Sequence, residues 1–420
     1  MIKMLSGMLA VVAVLAMACS SAKSSVDKTA TGVAAAATKT ASESTTASVQ
    51  VDGDGDGYDA FMIHYFPDNV TLHPGDIVKF KLKDSGEPHT VSTGGPIDAL
   101  TKFIYDTCGS EGLRAAKCQG QPPPDIEAQF NDLNSKLPQL LPDGPGDANQ
   151  TAANPCFLAT GTLPDNTACP KTDQPAFDGT QAFYSSGWLS ASNDYVVKLS
   201  PDLKPGAYRF ICLLHGPEMT ETVNIVDKAT KADTADDVKA RMNDQLKTFT
   251  DALSKPAADL KAFKGADDNG VKVDVQAEAD ADAVSAGVAE FGPDTISIPV
   301  GGSVTWKVNG FHTISFNAGE DAKSLRSVAA DGTVHLNEKA ATPAQTTPPE
   351  PPIAAGTDGG PPTGQPPPQM FDGGTWNGDG FLSTGGIGDE FFKLTFSKAG
   401  TYAYKCLIHD GMEGTVKVGS

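Results

Sequence analysis

The chain has 420 residues, of which 39% are hydrophobic and 20% charged, and it contains 43 glycines and 30 prolines. At roughly 150 residues per domain, this length predicts two or three domains of a loop-rich globular protein. The formal net charge is −20, and 52 acidic against 32 basic residues exclude the basic surface that binds nucleic acid. An acidic surface favours basic protein partners instead.

Residues 1–18 have the pattern of an export signal. Lys3 precedes an apolar run that ends in small residues before Cys19 and is too short for a stable membrane span. The sequence LAMAC, which ends at Cys19, resembles a bacterial lipoprotein signal, and this resemblance implies lipidation of Cys19. We therefore expect an exported protein, periplasmic or at the cell surface, that is lipid-anchored to a bacterial membrane.

Residues 19–50 are mainly Ser, Thr, Ala and Lys, with almost no large apolar side chains. This composition predicts a disordered tether that holds the folded part away from the membrane. The acidic run that follows, Asp52 to Gly57, looks like the start of a calcium-binding loop. The twelfth position of that loop would be Ile63 rather than Glu, so we expect a solvated acidic turn without calcium.

The chain contains one pattern twice. Each copy begins with a Pro-Asp turn and two alternating strands, which precede a His-Thr pair. A Phe-Asp-Gly segment follows. A strand that ends in Cys, with His and Met after it, completes the copy. The three matching pairs of segments are 64–91 with 291–314, 177–190 with 371–385, and 203–226 with 396–418. Their collinear order indicates tandem domains of one fold, and the residue types predict short β-strands between Gly, Pro and Asp turns.

These matches predict a first domain at 51–228, a linker at 229–270 and a second domain at 271–420. The first domain carries an insertion at about 97–175, and the second a proline-rich insertion at about 340–370. The final strands of both copies alternate with period two, which is typical of a half-buried sandwich strand. Each therefore ends in a core-facing cysteine at the rim of a sandwich.

The linker has helical rather than strand periodicity. Its apolar residues recur every three or four positions, as shown by Val238, Met242, Leu246, Phe249 and Leu253. This spacing predicts a connecting helix that packs on one domain and that Pro256 breaks.

Each copy holds one Cys, two His and one Met in the same order. The candidate ligands are His89, Cys212, His215 and Met219 in the first copy, and His312, Cys406, His409 and Met412 in the second. A thiolate and two imidazoles in a trigonal arrangement, with a weak axial thioether, form the ligand set of a blue copper site. The Cys and the tight loop after it supply three ligands, whereas the first His comes from a neighbouring strand.

These residues resemble the cupredoxin family, the small blue copper proteins such as plastocyanin, amicyanin and pseudoazurin. The segment CLIHDGMEGTVKV, residues 406–418, is similar to the amicyanin-like ligand loop. The resemblance implies an all-β fold with two Greek-key β-sandwiches joined by the helical linker, and two type 1 copper ions held by the eight residues above. It also implies that electrons pass through the exposed edges of His215 and His409. The first copy departs from the short loop, because three residues, including Pro217, separate His215 from Met219.

The four remaining cysteines beyond Cys19 lie together in the insertion of the first copy: Cys108, Cys118, Cys156 and Cys169. Outside the cytoplasm such cysteines form disulfides, so we predict two bridges with three possible connectivities. Pairing of sequence neighbours, Cys108 with Cys118 and Cys156 with Cys169, is preferred. Cys212 and Cys406 then stay unpaired and available to metal.

The ligand pattern favours an electron carrier over an enzyme. Copper oxidases and nitrite reductases with such domains need further copper bound by His-x-His pairs, and the sequence contains none. A copper-buffering or delivery protein is the alternative that the ligands distinguish less well. For a carrier, the acidic body suits a redox protein partner such as a basic cytochrome c.

Overall fold

In the computed structural model, the structure describes residues 44–133, 174–263, 272–343 and 370–419, with short gaps inside each range. The predicted signal, Cys19, most of the tether, Cys156, Cys169 and most of the proline-rich insertion lie outside the described residues. Among the helices of the described part, none combines the length and the apolar character that crossing a membrane requires.

The first copy forms two facing sheets. The strands of this half are β1 (Thr46–Val51), β2 (Ala60–Met62), β3 (Tyr65–Phe66), β4 (Asn69–Leu72), β5 (Ile77–Leu82), β6 (Ser92–Thr93), β7 (Tyr184–Ser185), β8 (Tyr195–Lys198), β9 (Gly206–Cys212) and β10 (Gly216–Ile225). One sheet has the order β3-β1-β5-β8 and the other β4-β10-β9-β6-β7. The alternation of apolar and polar residues explains why the two sheets face each other. In β5, Val78 and Phe80 are buried between the sheets, whereas Lys81 is exposed.

The second copy repeats this arrangement. Its strands are β11 (Lys272–Asp280), β12 (Ala286–Gly292), β13 (Thr295–Pro299), β14 (Ser303–Val308), β15 (Phe311–His312), β16 (Ser315–Phe316), β17 (Arg326–Val328), β18 (Val334–Leu336), β19 (Met370–Trp376), β20 (Leu382–Ser383), β21 (Ile387–Gly388), β22 (Phe391–Phe396), β23 (Gly400–Lys405) and β24 (Glu413–Gly419). The sheets have the orders β19-β22-β14-β11-β12-β2 and β13-β24-β23-β16-β20, and β15-β21 and β17-β18 form separate pairs. The pairing β1-β5-β8 thus recurs as β11-β14-β22, and the parallel pair β1-β5 recurs as β11-β14. The predicted all-β fold of two sandwiches is confirmed.

The predicted tether ends earlier than residue 50. Residues Thr46–Val51 form β1, an inner strand between β3 and β5. Ala47, Val49 and Val51 alternate into the core and are fully buried. The first sandwich therefore begins before residue 50, because this short alternating run follows directly on a polar segment.

The insertion of the first copy folds onto its ligand strand. Helix α1 (Pro96–Cys108) and a short 3₁₀ turn, Gly112–Arg114, precede Cys118, which forms a disulfide with Cys108. The apolar face of α1 packs against Ile211 and Leu213, the two neighbours of Cys212. This part of the insertion therefore covers one flank of the first candidate site.

The linker helix α2 (Ala235–Ala262) begins at Thr234, whose hydroxyl accepts a hydrogen bond from the Asp237 amide in a capping box. It does not end at Pro256 as predicted. Pro256 is buried inside the helix, and Leu253 and Leu260 on either side of it pack in a shared apolar cluster. This burial offsets the main-chain hydrogen bond that proline removes, so the helix continues.

The two sandwiches are joined by more than the linker. Strand β2 of the first half pairs antiparallel with β12 and forms the edge of the second copy's sheet. A cluster of buried residues combines β2, α2 and the second sandwich: Ala60, Met62, Phe66, Phe249, Leu253, Ala257, Leu260, Ala279, Ala281, Ala286 and Val288. The copies therefore share a core.

Candidate metal centres

The structure gathers the predicted Cys and His residues into two groups. One contains His89, Cys212 and His215, the other His312, Cys406 and His409, and in each group the ligand atoms lie within 4.8 Å of one another. In the second group, Cys406 Sγ is 3.7 Å from His312 Nδ1 and 3.6 Å from His409 Nδ1. Both cysteines are buried and unpaired.

The strand order explains how distant residues meet. Cys212 ends β9, and its neighbour in the sheet, β6, begins three residues after His89. In the second copy, Cys406 follows β23, whose neighbour β16 begins three residues after His312. The first His of each group thus lies three residues before the strand that neighbours the cysteine strand, rather than within that strand as the sequence predicts; we call it the strand histidine.

A threonine after each strand histidine fixes the cysteine. The Thr90 amide donates to Cys212 Sγ at 3.4 Å, and its hydroxyl oxygen accepts from the Leu213 amide at 2.9 Å. Thr313 makes the same two bonds: its amide donates to Cys406 Sγ at 3.4 Å, and its hydroxyl oxygen accepts from the Leu407 amide at 2.8 Å. These bonds hold the thiol and the start of the ligand loop against the neighbouring strand.

A buried carboxylate orients each strand histidine. His89 Nε2 lies 3.1 Å from Asp52 Oδ2, and His312 Nε2 lies 2.6 Å from Glu278 Oε2. An ionised carboxylate can only accept, so Nε2 carries the proton and Nδ1 is left for a metal. Asp52 is fully buried, so the prediction of a solvated turn is wrong at this residue, whose carboxylate also accepts from two main-chain amides.

The carboxylate of Glu87 contacts both loop histidines, His215 and His409, which follow the cysteines. Glu87 Oε2 lies 3.2 Å from His215 Nε2, and Glu87 Oε1 lies 2.5 Å from His409 Nε2. Burial opposes ionisation of Glu87, but the charges of His409 and His215 and their hydrogen bonds hold its pKa well below the usual range. The side chain of His215 is 12% exposed and that of His409 is 2% exposed. The open imidazole edges expected from the sequence are therefore largely covered.

The electrostatics favour the thiolate. Burial alone would raise the pKa of each cysteine, but the neighbouring histidines hold the pKa values of Cys212 and Cys406 well below the ordinary thiol value. Conversely, burial opposes protonation of the imidazoles, yet Asp52 raises the pKa of His89 to about 9, and Cys212 with Glu87 raises that of His215 to about 10. The thiolate is the form of cysteine that binds metals.

The donor atoms fit copper. In the first group, His89 Nδ1 and His215 Nδ1 are buried without a hydrogen-bond partner, although the Nε2 atoms of both rings are bonded. Such orphaned nitrogens beside a buried thiol are costly unless something binds them. One soft thiolate and two imidazoles are the equatorial donors of a type 1 copper site. The two groups fit two type 1 copper ions.

Met219 and Met412, the predicted axial ligands, are both fully buried. Met412 belongs to a closed turn, since its carbonyl accepts from the Cys406 amide at 3.0 Å. Met219 lies in β10 where the register shifts between Gly216 and Thr220, and this irregularity accommodates the longer loop of the first copy. Their axial role remains a prediction.

Other predicted residues lie elsewhere. Cys108 and Cys118 form the preferred disulfide, whereas Cys156 and Cys169 are outside the described residues. His64 packs against Phe66 and Phe249 at the shared core, and His73 contacts the Thr230 carbonyl.

Sequence reasoning did not identify four residues around the sites. Asp52, Glu278 and Glu87 bind histidines, and the Phe61 ring in β2 stacks on His409 with centroids 5.4 Å apart. A signal existed for the first two, because Asp52 and Glu278 are acidic residues at the same place in the repeat. Each directly follows the last residue of the parallel strand pair, Val51 and Ala277. The sequence held no repeat signal for Glu87 or Phe61, which act between the copies.

The chain folds into two β-sandwiches, and each carries a donor group that fits a type 1 copper ion. No protein-family model matches the chain, and no curated protein matches it. Among solved structures, a reduced Cu(I) form of an amicyanin mutant is 19% identical, with 37% of this chain and 86% of that chain covered and a TM-score of 0.16. A dithionite-reduced auracyanin from the photosynthetic bacterium Roseiflexus castenholzii is 16% identical, with 44% and 98% covered and a TM-score of 0.20. For auracyanin B the identity is 20%, the coverage 37% and 95%, and the TM-score 0.19. The assignment of copper rests on the donor atoms of this chain and not on these likenesses.

Proposed function

We propose that this protein is an exported blue copper protein that carries electrons, one at each of two type 1 sites, and that it is not itself an enzyme. The observation that carries this proposal is the pair of buried His-Cys-His groups with ligand atoms already within 4.8 Å of one another. Copper held by a thiolate and two imidazoles exchanges one electron between Cu(I) and Cu(II).

The surrounding residues keep the donors in place. Thr90 and Thr313 hold the cysteine sulfurs, while Asp52 and Glu278 hold the strand histidines. Such outer contacts orient the ligands before metal binds and limit their movement. A fixed, buried ligand set suits repeated one-electron exchange better than copper delivery, which needs an open and exchangeable site.

The cellular setting follows from the sequence. We propose that residues 1–18 direct export, that Cys19 is lipidated and anchors the protein to a bacterial membrane, and that the partner is a redox protein with a basic surface, such as a cytochrome c. The net charge of −20 supports this kind of docking. Salt should therefore slow association with the partner.

The test is a copper titration of the purified protein followed by visible absorption and cycles of ascorbate and ferricyanide. We expect two equivalents of copper and an intense blue colour that bleaches on reduction and returns on oxidation. C212S and C406S should each remove one equivalent with its share of the colour. The double variant C108A/C118A is the matched control, because it removes two cysteines that are already bonded to each other.

Colourless copper that exchanges readily with a chelator would overturn the carrier proposal and favour copper buffering or delivery. Unchanged colour and stoichiometry in C212S or C406S would show that the site in question is assigned to the wrong residues.

A further inference from the structure

The two loop histidines meet at one side chain. Glu87 Oε2 accepts from His215 Nε2 at 3.2 Å, and Glu87 Oε1 accepts from His409 Nε2 at 2.5 Å. His215 belongs to the first candidate copper site and His409 to the second. A single carboxylate therefore separates ligand rings of the two sites.

Both nitrogens of each loop histidine face a functional group. The Nδ1 atom of His409 faces its own cysteine sulfur at 3.6 Å, and its Nε2 faces Glu87. His215 has its Nδ1 within the first ligand group and its Nε2 on the same carboxylate. The sequence of contacts Cys212, His215, Glu87, His409, Cys406 thus connects the two thiols through side chains alone.

The bridge is shielded from solvent and supported on both sides. Glu87 is 9% exposed. The Phe61 ring, carried across from the first half on β2, stacks on His409, and β2 itself pairs with β12 of the second sandwich. Helix α2 packs in the apolar cluster shared by the two halves. The relative position of His215 and His409 is consequently set by the fold.

Building on the proposed function, we propose that Glu87 joins the two sites into one redox unit in which an electron passes within the molecule between them, across His215, Glu87 and His409. One site loses one electron as the other gains it. Both Nε2 protons stay on their imidazoles, no bond is broken, and no further reactant is consumed. Glu87 acts as a positioning residue that holds one Nε2 atom of each ring on its carboxylate.

The Glu87 bridge changes the expected route of electrons. A cupredoxin-like loop histidine with an open edge would pass its electron to a docked partner. Here the edges of both loop histidines face the same carboxylate. We expect the partner to exchange electrons with one site by another face, and the second site to fill through the first.

The test compares the copper-loaded wild type with E87Q and with the control E111Q, which removes the same charge from an exposed residue of the same domain. A substoichiometric pulse of reductant is followed by the redistribution of the two thiolate-to-copper absorptions. In the wild type, the redistribution rate should be independent of protein concentration. Gln has only one acceptor oxygen for two N–H groups, so one ring loses its partner and its fixed position. E87Q should slow redistribution about tenfold or more, by analogy with the effect of losing an outer histidine partner on metal affinity and activity.

Reduction potentials provide a signature that a merely structural role would not give. Removing the negative charge beside both sites disfavours Cu(II), so both potentials should rise in E87Q, whereas E111Q should leave both unchanged. Redistribution that depends on protein concentration in the wild type would overturn the proposal without any variant. An unchanged redistribution rate in a folded E87Q would overturn it as well.

A metal-free measurement separates this proposal from the proposed function. NMR of ¹⁵N-histidine protein should show the Nε2–H protons of His215 and His409 protected from exchange with water in the wild type and E111Q but not in E87Q. Those of His89 and His312, which are bonded to other buried carboxylates, should stay protected in all three proteins. Protected protons without blue copper would retain the bridge and reject electron transfer. Blue copper at both sites without the protected protons would retain the carrier and reject the bridge.

Discussion

Asp52 and Glu278 occupy the same place in the two sandwiches. Both have a left-handed backbone, with φ of 67° and 68°, and both bind Nε2 of the strand histidine of their own site. A non-glycine residue in this conformation costs about 1–2 kcal/mol. The shared conformation turns each carboxylate, just past the parallel-paired part of an inner strand, toward the histidine of its own site.

Replacing either carboxylate should weaken copper binding only at its own site. In D52N or E278Q, the histidine loses the ionised acceptor that fixes its tautomer and orientation, and copper affinity should fall about 10- to 100-fold at that site. Competition with a chelator, monitored at the blue band, measures the loss. D54N is the control, because Asp54 pairs with Lys83 at the surface. An equal loss at both sites in one variant would contradict separate roles.

Gly310 should be required for the second site. Its φ is +68°, and a β-carbon there would collide with both carboxylate oxygens of Glu278. We expect G310A to displace Glu278 from His312 and to lower the copper affinity of the second site. G301A is a close control, because Gly301 also has a positive φ, +84°, but a β-carbon added there would meet no atom within 4 Å. Both variants should lose about 1–2 kcal/mol of stability from the backbone, but only G310A should change the blue spectrum.

The disulfide should stabilise the first sandwich selectively. Cys108 and Cys118 are ten residues apart, and closing a loop of this length contributes about 2–3 kcal/mol. The bridge ends α1, which packs on Leu213 beside Cys212. C108A/C118A should therefore unfold at lower denaturant concentration and release copper from the first site before the second, while the folded variant keeps both colours. Loss of both coppers in a single step would indicate that the two sandwiches unfold together.

Copper affinity at the first site should rise with pH. The pKa values of His89 and His215, about 9 and about 10, lie above the ordinary 6.5. At neutral pH copper must therefore displace protons, and its affinity should increase until about pH 9–10. The stability that these groups give the metal-free protein has the opposite trend: it is fully present below about pH 6.5 and is lost through pH 9–10. The variant C406S isolates the first site. In it, chelator competition across pH measures the copper affinity, and denaturation of the metal-free protein across pH measures the stability. A copper affinity that does not change with pH would contradict the raised histidine pKa values.

The ligand pattern was predictable because chemistry and repetition coincide there. His89, Cys212 and His215 recur in order as His312, Cys406 and His409, and alternating strands place both cysteines on buried faces. The fold was predictable for the same reason, since three pairs of matching segments mark equivalent strands.

The contacts between the copies were not predictable. Glu87 stands in a polar stretch of the sequence, and nothing in its sequence neighbours distinguishes it from a solvated residue. Its role depends on the second sandwich placing His409 beside His215, which is a result of tertiary packing. Pro256 is a similar case, because local propensity predicts a helix end and the buried residues around it decide otherwise.

Strand β2 makes each copy structurally dependent on the other. A cut within α2 would leave the second half without the strand at the edge of its sheet, and β12 would present unpaired N–H and C=O groups, a template for association with other chains. The same cut would remove the Phe61 ring from His409 and the carboxylate of Glu87 from its Nε2. Although the sequence repeats one pattern, neither half alone holds the complete surroundings of its site, so the two halves must be produced and transplanted together.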